Sequence, residues 1–212
     1  MPKPILSYEK QVAFRDAFYF IVVCEGRHTE PNYFRFFEGI SSRVKIVAVE
    51  NIDGQTSPTK LIFNALEKEK ELDASAARDQ IWFVIDTDRW RHLIRDLRKE
   101  CKNKTHWKVA QSNPCFEVWL FYHVKKEVPK LDFIHECNNW SPLVHSVFQN
   151  GFNPQLHPIL IDIATQNAKA AYRAKGDTPE PGSTQVWQLA EKLLPLISGE
   201  IEELKERYPA LR

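Results

Sequence analysis

The sequence predicts an α/β protein: a mostly parallel sheet flanked by helices, followed by a helical C-terminal extension. Three observations predict it. Apolar runs of strand length, Phe18–Cys24 and Ile81–Ile85, alternate with segments of helical period. Neither run alternates with polar residues, so each reads as a strand covered on both faces. From Phe116 onward helical spacing prevails, broken at Pro129, Pro142, Pro154 and Pro158. Residues 1–125 are read as the α/β core and 126–212 as a helical extension packed on it.

The elements follow in order. Phe18–Cys24 is the first strand. A helix comes next, with Thr29 as its cap, Pro31 in its first turn, and Tyr33, Phe34, Phe37 and Ile40 on one side. Val44–Val49 reads as a second strand. Ser57 caps a second helix whose Leu61, Ile62, Ala65, Leu66 and Leu72 recur at helical spacing. Ile81–Ile85 is the third strand and stops at Asp86. A third helix is expected from Trp90 to Cys101 and a fourth strand from His106 to Ala110. Further on, Gly176–Gly182 reads as a mobile turn, and Ser183 as the cap of a last helix carrying Val186, Leu189, Ala190 and Leu193.

Composition narrows the function classes. Lys plus Arg is 29 and Asp plus Glu is 28, a net charge of +1 over 212 residues. That excludes a uniformly basic coat for nucleic acid and leaves room for a local basic patch. Ala17–Cys24, the longest apolar run, is far short of the roughly 20 residues a bilayer span needs. The first residues lack the apolar core of a signal peptide. No contact with a membrane is expected, and a cytoplasmic location is. Cys24, Cys101, Cys115 and Cys137 contain no C-x-x-C pair and read as reduced thiols. A zinc site from Cys101, His106, Cys115 and His123 would match no standard spacing. There is no G-x-S-x-G and no P-loop, so neither serine-hydrolase chemistry nor P-loop ATP hydrolysis is supported.

In a parallel sheet the ligand site lies at the carboxyl ends of the strands. Glu25-Gly26 follows the first strand there, and Asp86-Thr87-Asp88 follows the third. Residues two apart on extended chain project to the same side, so Asp86 and Asp88 should point together into the crevice. Close carboxylates repel unless protonated or bridged by a cation, and hard oxygen donors suit Mg²⁺ or Mn²⁺. Gly26 would let a phosphate or backbone come close. Simpler roles compete with each of these. Asp86 alone suits a turn, Asp88 a helix cap, and Glu25 an ion pair with a nearby Arg. Glu30 opens the first helix, where the helix dipole favours a carboxylate whatever its function. Glu117 is either a ligand from the neighbouring strand or a first-turn helix charge. Glu50 also ends a strand and is read as a turn residue. His28 sits near the proposed site and reads as a surface histidine.

The third helix supplies a basic face. Trp90, Leu93, Ile94, Leu97 and Cys101 share one side, and Arg91, Arg95, Arg98 and Lys102 form a second stripe beside it, with Arg89 just upstream. Such stripes are often simply solvated. Beside an acidic site this one suits a nucleic-acid backbone, since guanidinium pairs well with phosphate, without sequence readout.

Glu25-Gly26 after the first strand and Asp86-x-Asp88 after the third resemble the Toprim signature of topoisomerases, primases and OLD-type nucleases. With E-G-R-H-T-E-P-N-Y-F, V-I-D-T-D, S-N-P-C-F-E-V-W-L, N-A-K-A-A-Y and T-Q-V-W-Q-L, nearly the whole chain resembles the RloB-like family. The resemblance implies a Toprim-like domain acting as a Mg²⁺-dependent nuclease on DNA or RNA, in bacterial antiviral defence beside a partner ATPase. Glu25, Asp86 and Asp88 would be its catalytic and metal-binding residues, and Glu30 and Glu117 further metal ligands. OLD-type nucleases also use a basic C-terminal residue, for which Lys169, Arg173 and Lys175 are candidates. Two other readings remain: a HAD-like phosphatase with Asp86 as nucleophile, and a non-catalytic subunit of a defence ATPase.

Overall fold

A computed structural model describes residues 17–49, 57–87, 93–129, 134–149 and 151–209. Its central sheet has the order β2-β1-β3-β4-β7. Four strands are parallel: β1 (Phe18–Cys24), β2 (Val44–Val49), β3 (Gln80–Asp86) and β4 (Trp107–Asn113). The fifth, β7 (Ser183–Thr184), runs antiparallel against β4. Alternation along each strand divides the core into two layers. Phe20, Val22, Cys24, Trp82 and Val84 face one side, with α1 (Thr29–Arg35), α4 (Glu117–Phe121), α5 (Cys137–Val147), α6 (Ile161–Ala171) and α7 (Val186–Arg207). Ile21, Val23, Ile81, Phe83 and Ile85 face the other, with α2 (Pro58–Glu71) and α3 (Leu93–Asn103). Covering on both faces explains the unbroken apolar runs, and the predicted fold class is the one observed.

Local details follow the sequence in part. Ser57 Oγ accepts the Lys60 amide at 3.3 Å and caps α2 as expected. Thr29 does not cap α1. It is the first helical residue, and the capping position falls on His28, whose side chain makes no capping bond. The strand β4 runs past Ala110 because Gln111 and Ser112 pair with Ile85 and Asp86. These two polar residues are buried, and their polarity hid the strand. The start of the third helix, with Trp90, lies outside the described residues.

The second half is not wholly helical. Ser183 lies in β7, and Gln185 takes the capping position of α7. Ser183 Oγ is already engaged, accepting the Arg173 amide at 3.0 Å. The turn read as mobile is instead pinned. It forms the hairpin β5 (Ala174–Lys175) and β6 (Thr178–Pro179). Beyond it Gly182 donates to Asn113 O at 2.8 Å and accepts from the Tyr122 hydroxyl at 2.7 Å. Gly182 has φ +78°, and a Cβ there would fall 2.7 Å from Val128, so only glycine fits.

On the same face His123 is sealed against α1. The Tyr33 hydroxyl lies 3.1 Å from Nε2, and Trp119 O lies 3.1 Å from Nδ1. The carbonyl can only accept, so Nδ1 carries the proton and the hydroxyl donates to Nε2. Burial pushes the imidazole pKa down to about 3. In acid the unfolded chain binds a proton at residue 123 that the folded chain refuses. Stability attributable to this residue is therefore complete above its ordinary pKa of 6.5 and falls as pH drops from there towards 3, by about 1.4 kcal/mol per unit. Urea unfolding of the native chain and of His123→Phe between about pH 4.5 and 7 checks this. The native slope of stability against pH should be steeper by nearly one proton, and equal slopes would refute the assignment.

Candidate functional site

The chain passes from β1 to β2 on one side and then crosses to β3 on the other. The connections leaving β1 and β3 therefore diverge, which opens a crevice at the switch point. Glu25 leaves β1 there and Asp86 ends β3. The Glu25 amide donates to Val84 O at 3.0 Å, extending the parallel ladder by one rung. The Asp86 amide then donates to Glu25 Oε2 at 2.8 Å. Glu25 is only 3% exposed. Beside it the Gly26 amide donates to Glu30 Oε1 at 3.2 Å, so the first-turn carboxylate of α1 folds back over the loop.

Glu25, Glu30, Asp86 and Glu117 thus line one cleft of about 270 Å³, with Arg27, His28 and Cys137 around it. Of the five acids predicted to form the site, these four are brought together. Asp88 lies outside the described residues, as do Arg89, Arg91 and Glu50. The cleft's carboxylates are hard oxygen donors of the kind that bind Mg²⁺ or Mn²⁺, and in type they fit such an ion. They are not drawn into a closed ligand set. Among the described residues, the one trio with ligand atoms all within 4.8 Å of one another is Cys115, Glu117 and Cys137.

Those two cysteines correct an expectation. Cys115 and Cys137 are joined by a disulfide, with Cα atoms 5.5 Å apart, and are not reduced thiols. The starts of α4 and α5 bring them together across 22 residues, a pairing that their spacing did not reveal. Cys137 Sγ lies 3.9 Å from Glu117 Oε2, so the bridge forms part of the cleft wall. Cys24 and Cys101 remain free, and burial raises the pKa of both thiols. The zinc set does not assemble, because His106 pairs with Glu69, His123 with Tyr33, and Cys115 with Cys137.

The basic stripe is partly solvated and partly tied down. Arg95 and Lys102 are exposed, but Arg98 is half-buried and hydrogen-bonded to Gln111 and Gln185. All three line a second cavity with Lys99. None of Lys169, Arg173 and Lys175 lines the acidic cleft. Lys169 pairs with Glu191 and lies 5.3 Å from the Trp187 ring centroid. Among the described residues, Arg27 is the arginine or lysine that lines the cleft, and the sequence reading passed over it. Its place two residues after Glu25 was the available signal.

Fold and cleft together define an α/β protein with an acidic site at the switch point of a parallel sheet. The family model for RloB-like proteins matches residues 20–193, and the chain belongs to that family. The match includes all of the predicted acids. No curated protein and no solved structure matches the chain. No described helix is long and apolar enough to cross a membrane.

Gly26 has a steric role in the cleft. A Cβ there would fall 2.1 Å from Glu30 Oε2. Gly26→Ala must therefore push the flexible Glu30 carboxylate away from the residue-26 amide while the backbone stays in place. We expect amide exchange at residue 26 to accelerate about tenfold, with stability to urea changing by no more than about 2 kcal/mol. Unchanged exchange would show that Glu30 does not cover the loop.

Proposed function

We propose that this protein is a metal-dependent nuclease of the Toprim type that hydrolyses phosphodiester bonds in DNA or RNA. The observation that carries the reading is the convergence of Glu25, Glu30, Asp86 and Glu117 on one cleft at the switch point. Glu25, Glu30, Asp86 and Glu117, with Asp88 two residues beyond Asp86, would hold Mg²⁺ or Mn²⁺. When bound, such an ion neutralises charge on the phosphoryl oxygens and acidifies water.

The chain's own groups prepare the site. Glu25 fixes the end of β3 by accepting the Asp86 amide, which holds the two principal carboxylates in register. Gly26 presents no side chain, so the loop and Glu30 pack closely. Arg27 offers a guanidinium at the cleft to a phosphate oxygen. Arg95, Arg98 and Lys102 lie beyond Thr87 and suit the rest of a polyanionic substrate. Membership of the RloB-like family supports a role in antiviral defence with an ATPase partner, in the cytoplasm.

Cleavage of plasmid DNA and of total RNA, in Mg²⁺, Mn²⁺ or EDTA and with or without the product of any ATPase gene beside its own, tests the proposal. Glu25→Gln and Asp86→Asn keep shape and remove charge, and each should lower metal-dependent cleavage by at least about 100-fold. Full cleavage by both variants would overturn the assignment. A native chain that cleaves nothing even with the ATPase present would favour the non-catalytic subunit. A phosphorylated Asp86 would favour the phosphatase.

A further inference from the structure

A larger cavity lies across the end of β3 from the acidic cleft. It measures about 790 Å³ and opens between α3, the end of β4 and the β5–β6 hairpin. Among the described residues, Arg95, Arg98, Lys99 and Lys102 line it against one acid, Asp177, which lies 3.9 Å from Lys102 Nζ.

Arg98 is its built element. One guanidinium nitrogen, Nη2, donates to Gln111 Oε1 at 2.8 Å and to Gln185 Oε1 at 2.7 Å. Both acceptors are neutral. Each glutamine is oriented by its own amide group: Gln111 Nε2 donates to Thr87 Oγ1, and Gln185 Nε2 to the Tyr172 hydroxyl and Asp177 O. The carbonyl oxygens are thus aimed at the arginine before any ligand arrives. Among the described residues, Nε, shut off from solvent, has no hydrogen-bond partner, and no carboxylate pairs with Arg98. Burial works against its charge and lowers its pKa, and the field of the nearby Asp177 carboxylate offsets this only in part. A half-buried guanidinium hydrogen-bonded to neutral groups, with the Asp177 carboxylate near but not paired to it, leaves room for an anion. The remaining lining is of another kind. Ile94 and Pro181 give apolar walls, and Asn113 and Thr178 offer polar groups. A cavity with a cationic wall, an apolar wall and a volume in the range of small-molecule sites suits a phosphate joined to a flat ring.

We propose that this cavity binds a nucleoside phosphate, with the phosphate on the Arg95–Arg98–Lys102 side and the base between Ile94 and Pro181. The ligand is either a free mononucleotide or one nucleotide unit of a bound strand. The inference rests on a cavity separate from the acidic cleft and does not require cleavage.

Isothermal titration of the full chain in EDTA tests it, with 5′-AMP, inorganic phosphate and a ten-nucleotide single strand as probes. AMP should bind the native chain, and at least tenfold more weakly the doubly substituted Arg95→Ser, Lys102→Ser chain. Both replaced side chains are exposed, so folding is preserved. AMP that competes with the oligonucleotide identifies a strand unit as the ligand. AMP that binds without competing identifies a free nucleotide. No AMP binding, equal binding by the double variant, or phosphate binding as tight as AMP would overturn the proposal. Because no divalent ion is present, this result is read separately from any failure of cleavage.

Discussion

The site depends on how the parallel ladder between β1 and β3 comes to its end. In regular pairing the rung after Glu25 N–H to Val84 O would carry the Asp86 amide to the Glu25 carbonyl. Here the side-chain Oε2 of Glu25 takes that donor at 2.8 Å. The substitution frees the backbone after Glu25 to turn away into α1 while the two strand ends stay joined. It also gives a carboxylate that is 3% exposed a hydrogen-bond donor, without which burial of its charge would be costly. A hydrogen bond of this charged kind is worth about 1.5–3 kcal/mol, so the position of Glu25 is set by folding itself.

The rest of the cleft builds on that anchor. Once β1 is released after Glu25, the Gly26 amide needs an acceptor, and Glu30 supplies one from the first turn of α1. A carboxylate near the helix N-terminus is also favoured by the helix dipole. Opposite, β4 ends at Asn113, and the chain turns through Cys115 into α4, which sets Glu117 in its first turn. The disulfide to Cys137 ties α5 to this corner. Each acid is therefore placed by a backbone or helix-terminus requirement, and their convergence follows from the meeting of β1, β3 and β4 at one end of the sheet.

This explains which parts were legible in the sequence. The strands β1 and β3 announce themselves because both of their faces are covered by apolar layers. Asp86 was legible because an acid ends such a run abruptly, and Ser57 because a cap acts within three residues of its partner. The strand β7 escaped because it has two residues and is held by partners some seventy positions away, such as Thr184 Oγ1 against Ser112 Oγ at 2.8 Å. The end of β4 escaped because Gln111 and Ser112 are buried through polar pairing, which hydrophobic periodicity cannot register. Arg98 read as one member of a basic stripe suited to a phosphate backbone, with nothing to mark it as tied down. Its tether, Gln185, lies 87 residues away, and no local pattern reports it.

Alternation along β3 separates two electrostatic environments by a single residue. Asp86 lines the acidic cleft, and Thr87, fixed by its hydroxyl to Ser112 O at 2.7 Å, lines the cationic cavity. Successive residues on extended chain advance by about 3.3 Å, well inside the screening length of about 8 Å at physiological salt. The two fields therefore overlap at the strand end. A polyanion is repelled by Glu25, Glu30, Asp86 and Glu117 and drawn to Arg95, Arg98, Lys99 and Lys102. On the proposed reading it settles on the cationic side and meets the carboxylates only where the fields cross, at the Asp86–Thr87 step. On that reading the strand end would select one phosphate along the chain by position, with no need to read a base.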